Sequence, residues 1–189
     1  EIAPILKKAD YLLDIHSTQK PSIPFIYTAA KASHFKLAKL FATKFIVSGS
    51  KKFKNKKSTV SSDNFVDKHG GIGITYESGW NEDFSKLPET LKKTKEFLST
   101  IKVAFKSNKS TSPAKTNFLE VAQTLIPKSQ DFKFTKDYNN FDMVPSGKTI
   151  AKEQNKSIKR PYDCYIVFPK KDIQIGKTAC YLAKKKHYV

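Results

Sequence analysis

The chain has 189 residues, enough for one ordinary domain or two small ones with a real core. Apolar residues at 39% and charged residues at 28% lie in the globular range and exclude wholesale disorder. The formal charge of +18 invites a nucleic-acid reading, but Arg160 is the only arginine and the lysines are scattered along the chain. Base readout and bidentate phosphate clamping favour arginine, so the surplus reads as a solvated lysine surface.

Residues 2–9 read as the tail of a helix feeding a short strand. In that strand Tyr11, Leu12, Leu13 and Ile15 form an apolar run of buried-strand length. Asp14 and His16 are two residues apart, so a strand sends both side chains to one face. A carboxylate and an imidazole there suit metal ligation, with the carboxylate behind the ring; for the segment taken alone, a hydrogen-bonded histidine at a strand end is the plainer reading. The stretch from Ser17 to Pro24 is polar and proline-punctuated, which is loop chemistry. It follows the carboxyl end of a strand, where open α/β sheets place their ligands.

Phe25-Ile26-Tyr27 reads as a second strand. Ala30, His34, Leu37 and Phe41 keep helical spacing, with His34 a packed or surface helix residue. Residues 48–59 are the densest basic run and read as a surface loop. Ser61-Ser62-Asp63 offers helix N-caps, and Gly70-Gly71 a C-cap. Ile72 to Glu77 alternates as a strand, so Glu77 ends a strand just as His16 does. Its bland alternative is an ion pair with one of the many lysines. Pro88 to Phe105 reads as a helix burying Leu91, Leu98, Ile101 and Phe105.

Residues 106–116 form a polar linker and the expected domain boundary. Beyond it the pattern turns strand-like at 118–126, 132–134, 162–168 and 179–183. Val144 to Ala151 weakly repeats as Ile173 to Cys180, each copy placing a glycine between two strands, which suits a small barrel or sandwich. The twin Gly-Lys-Thr triplets are not phosphate loops, because Asp142 and Lys171 stand where that motif needs glycine. Cys164 and Cys180 read as two buried free thiols in a reducing compartment, hence a cytoplasmic location. The sequence shows no membrane span and no signal peptide.

Three places together resemble the succinylglutamate desuccinylase/aspartoacylase family, zinc-dependent deacylases related to the metallocarboxypeptidases. Ala9 to Ser17 resembles its strand ending Asp-Leu-His-Ser, here Asp14-Ile15-His16-Ser17. Phe65 to Gly79 resembles its helix, glycine and Thr-x-Glu-x-Gly strand. Val144 to Ala183, with Lys159-Arg160-Pro161-Tyr162-Asp163, resembles its C-terminal β domain, although Cys164 stands where the turn usually has glycine. The resemblance implies an incomplete α/β/α segment of metallocarboxypeptidase type over 1–105, then a small all-β domain over 117–189. It also implies zinc as cofactor, His16 as the third zinc ligand, Glu77 as the catalytic residue, Asp14 as a group orienting His16, and a small N-acyl amino acid as substrate.

The family's first two zinc ligands come from an upstream His-x-x-Glu, and its substrate-binding arginine also lies upstream. Gln19, Leu37 and Ile72 occupy the third positions after His16, His34 and His69, so that motif does not occur here. His187 lies in the lysine-rich tail. The expectation is therefore a C-terminal portion of the enzyme: part of a longer protein, one product of a split gene with a companion chain, or a truncated pseudo-enzyme. A non-catalytic binding module and a basic nucleic-acid-binding protein are the alternatives.

Overall fold

The structure is a computed structural model, and it describes residues 1–49, 61–103 and 115–188. A single turn of helix, α1 (Ala3–Leu6), delivers the chain into β1 (Tyr11–Thr18). There follow β2 (Phe25–Ala29), α2 (Ala32–Lys39), β3 (Phe45–Gly49), α3 (Ser62–Lys68), β4 (Ile72–Trp80) and α4 (Leu87–Val103). The described remainder is all strand and loop: β5 (Asn117–Leu125), β6 (Lys133–Phe134), β7 (Met143–Val144), β8 (Thr149–Glu153), β9 (Lys156–Lys159), β10 (Cys164–Val167) and β11 (Cys180–Lys185).

Eight strands form one mixed sheet in the order β1-β4-β2-β3-β5-β11-β10-β7, and β6-β8-β9 form a small antiparallel sheet. The side-chain period of two sorts the large sheet into two faces. On one, Ile26, Ile46, Ile74 and Tyr76 pack against Phe35, Leu37, Ala38 and Phe41 of the α2 region and Phe97 of α4. The other carries Phe25, Phe45 and Val47. There α3 crosses β4 so closely that a Cβ on Gly73 would lie 2.4 Å from the carbonyl oxygen of Asp63, a backbone clash that only glycine avoids. Helices thus cover both faces of the amino-terminal strands, giving the expected α/β/α layering.

The expected boundary at 106–116 does not divide the sheet. β5 runs parallel to β3 and antiparallel to β11, so it joins the carboxyl-terminal strands directly to the α/β part. The small sheet packs on the far end of the large one across a core that includes Leu125, Tyr138, Ile150, Ile166 and Leu182. The linker up to 114, the basic run from 50, and Phe105 lie outside the described residues; Ser48 and Gly49 belong to β3 rather than to a loop.

Three further expectations change. β1 is an edge strand, half-buried rather than buried, and Ile15 is 45% exposed. The buried row of α4 includes Phe97 with Ile101 beside it, while Leu91 and Leu98 face solvent. Residues 97 and 101 are four apart and share a row; 91 and 98 lie about 100° around the helix from Phe97's row. In the repeat, Gly147 and Gly176 both take positive φ, +75° and +74°, but only the first copy has a strand on each side.

Candidate functional site

β1 and β4 run parallel with His16 opposite Glu77 and Asp14 opposite Thr75, so Asp14, His16 and Glu77 share one face. Asp14 Oδ1 lies 3.1 Å from His16 Nε2, and His16 Nδ1 lies 3.9 Å from Glu77 Oε1. The Ser62 hydroxyl, at the start of α3, donates to Asp14 Oδ2. Ser61 is the N-cap, but its hydroxyl accepts from the Asn64 side chain and caps no backbone N–H.

The register then slips: three residues of β1, His16 to Thr18, face four of β4, Glu77 to Trp80. This bulge bends β4 just past Glu77. Gly79 takes φ +113°, which L side chains rarely adopt. Ser78 Oγ donates to His16 O (2.8 Å), and Thr18 Oγ to Gly79 O (3.1 Å), tying the bulge to β1.

Burial separates the pair. The His16 side chain is about half exposed, whereas Glu77 is 3% exposed and its Oε2 is buried without a hydrogen-bond partner. Burial pushes the Glu77 carboxyl up to about 7, with His16 and Lys170 pulling down and Asp14 pushing up. Lys170 follows β10, so the far end of the sheet reaches the electrostatics of this carboxylate. Ser62, Ser78 and Lys170 escaped the sequence reading because no local period reveals a hydroxyl or ammonium arriving from another element. Thr18, a loop-side hydroxyl with no local pattern to mark it, anchors the bulge.

The remaining histidines stand apart. His34 is buried on α2, with Nε2 2.7 Å from Asp67 Oδ1, and His69 caps α3 with Nδ1 2.8 Å from Phe65 O. Among the described residues no cluster of three or more His, Cys, Asp or Glu side chains could hold a metal. His16 has the chemistry of a single ligand. The Asp14 carboxylate stands at ion-pair distance from Nε2, and Nδ1 is the ring nitrogen that lies towards Glu77 at 3.9 Å.

A large mixed α/β sheet with a small antiparallel sheet packed at its end is the fold of solved desuccinylases and aspartoacylases. The chain superposes on succinylglutamate desuccinylase from Vibrio parahaemolyticus with TM-score 0.71 at 17% identity, over 95% of this chain and 54% of that one. Succinylglutamate desuccinylase/aspartoacylase from Rhodobacter sphaeroides gives 0.65 at 15% identity, over 100% and 62%. The ectoine utilization protein EutE from Ruegeria pomeroyi gives 0.62 at 16%, over 96% and 61%. The chain thus spans a little over half the length of the structures it matches. By sequence, no protein-family model and no curated protein matches it. No helix among the described residues is long and apolar enough to cross a membrane.

Proposed function

We propose that the chain is the carboxyl-terminal part of a zinc-dependent hydrolase that cleaves the amide bond of a small N-acyl amino acid. The observation that carries this reading is Glu77: a buried carboxyl raised to about 7, in register with His16, on the fold of known desuccinylases. A general base is most useful when its pKa lies near the working pH. Glu77 would take a proton from the attacking water and deliver it to the leaving amine. His16 would hold the metal through Nδ1, with Asp14 fixing ring and tautomer. Bound zinc would supply polarisation of the acyl carbonyl and a lowered pKa for water. Lys170 would favour an anionic substrate beside Glu77.

Two further metal ligands must come from elsewhere, and the outer edge of β1 is where a further strand would bring them beside His16. That edge has no strand partner among the described residues, and Ile15 on it is exposed. Either upstream sequence or a companion chain would cover it. The buried free thiols Cys164 and Cys180 support a reducing, cytoplasmic compartment.

The test measures zinc content and hydrolysis of N-succinyl and N-acetyl amino acids by this chain, alone and with the segment that completes the sheet. The chain alone should bind zinc weakly and turn over negligibly, and the completed protein should do both. Tight, activity-supporting zinc on the chain alone would show the ligands to be misassigned; an inactive, metal-free completed protein would overturn the reading.

A further inference from the structure

Across the sheet from Glu77, beyond Phe25 of β2, lies a cavity of about 350 Å³ that the deacylase reading does not use. Two strand spacings, roughly 10 Å, separate its floor at Phe45 from Glu77. Its walls are aromatic. Phe45 and Phe141 stack with ring centroids 4.1 Å apart and planes 11° from parallel, and Tyr165 stands 5.9 Å from Phe45. Two ammonium groups line it: Lys44 Nζ lies 5.7 Å from the centre of the Phe45 ring and Lys185 Nζ 5.9 Å from that of Tyr165. Neither lysine pairs with a carboxylate among the described residues, and no acidic side chain lines the cavity.

Asn140 completes the lining. It is 8% exposed, and the Phe168 N–H donates to its Oδ1 at 2.7 Å, which fixes the amide orientation. Its Nδ2 is left buried without a partner. A buried donor without an acceptor is unfavourable, so the site gains when a ligand supplies one. Phe141 beside it is held at φ +67°, a conformation that a phenylalanine adopts only when its surroundings impose it. Its N–H donates to Ile166 O (2.8 Å), and its ring meets Phe25 edge-on at 4.9 Å. The strained residue thus presents its ring to the cavity from a fixed backbone.

From these features we infer that the cavity is a binding site for a planar aromatic carboxylate. The ring lies against Phe45, Phe141 and Tyr165, the carboxylate is shared between Lys44 and Lys185, and a small shift of Asn140 supplies a donor. Aromatic walls alone would take any flat apolar molecule, and lysines alone any anion. Their combination in a cleft without acidic groups selects a molecule that carries both features.

The probes are benzoate, its neutral counterpart benzyl alcohol, and inorganic phosphate, titrated into the full chain with nuclear magnetic resonance detection. Benzoate should saturate with a Kd of about 1 mM or tighter. The shifts should centre on the Asn140 side-chain amide, Asn117 and Tyr165 rather than on the His16 ring. Benzyl alcohol and phosphate should each bind at least about tenfold more weakly, and Lys44→Gln with Lys185→Gln should weaken benzoate by a similar factor. These lysines are exposed, so the double variant should keep its melting temperature. If the double variant misfolds, the probe comparison on the unaltered chain still decides. Absence of saturable benzoate binding, equal binding of phosphate or benzyl alcohol, an unchanged affinity in the folded double variant, or shifts centred on His16 would each overturn the assignment.

Discussion

Two carboxylates, Asp67 at the end of α3 and Glu77 on β4, each sit beside a histidine, and burial pushes both upward. They end in opposite places. At Asp67 burial is outweighed: the Gly73 N–H (2.9 Å), His34 Nε2 (2.7 Å) and Lys31 all favour the anion, and its pKa falls below the usual value. At Glu77 the nearest histidine nitrogen stays at 3.9 Å, Oε2 has no partner, and the pKa rises to about 7. Asp67 closes a joint between α2, α3 and β4. Glu77 is left incompletely paired, which suits the proton transfer proposed for it. A carboxylate–histidine pair is structural or reactive according to how many hydrogen bonds the carboxylate already has.

The contrast breaks most visibly through Glu77→Gln. In the completed, zinc-loaded protein it should lower kcat by about 100- to 10,000-fold with little change in KM, because only proton transfer is removed. Steady-state kinetics check this; a drop of less than tenfold would remove Glu77 as base.

Asp67→Ala should follow, destabilising the chain by about 3 kcal/mol, because a buried N–H and a buried imidazole lose their acceptor. Its pH dependence has a definite sign. A depressed pKa gives stability that is present above the unfolded value, 3.8, and lost as pH falls through the folded one. The gap between parent and variant should therefore shrink in acid, as read by urea denaturation at several pH values.

Glu77 has the opposite sign. Its raised pKa favours the folded chain below 4.5 and that contribution is lost as pH rises towards 7. Glu77→Gln should thus stabilise the chain at pH 8, by about 2 kcal/mol or roughly 4–8 °C in melting temperature, and match the parent near pH 4.5. Scanning calorimetry at both pH values separates the two outcomes; a variant less stable than the parent at pH 8 would contradict the proposed burial cost.

The smallest effect belongs to Asp14→Asn. It should weaken zinc binding by the completed protein about tenfold without unfolding the chain, since Asp14 acts through the His16 ring. Competition against a chelator measures this, and His16→Ala should lose far more.

Much of the arrangement was legible because it is local. The run Ile72-Gly73-Ile74-Thr75-Tyr76-Glu77 gives away its strand by alternation, and the Asp14/His16 spacing puts both groups on one face. What stayed hidden depends on partners distant in sequence. Leu91 and Leu98 look like a buried stripe by spacing, but only the sheet beneath decides that Phe97 is the residue to be buried. β3 escaped because a five-residue strand runs directly into a lysine-rich stretch. Lys170 is 93 positions from Glu77, and no periodicity connects them.

The seat of β5 between β3 and β11 bears on what happens when the chain is cut. A protease acting within 104–114 would sever α4 from β5 in sequence while leaving β5 bonded in parallel to β3 and in antiparallel to β11. The two fragments would share one sheet and one apolar core, so they should co-migrate as a non-covalent pair under native conditions and separate only in denaturant. Expressed apart, each would carry an open strand edge that the other fits, which makes fragment complementation the natural assay for how firmly the two ends of the sheet hold together.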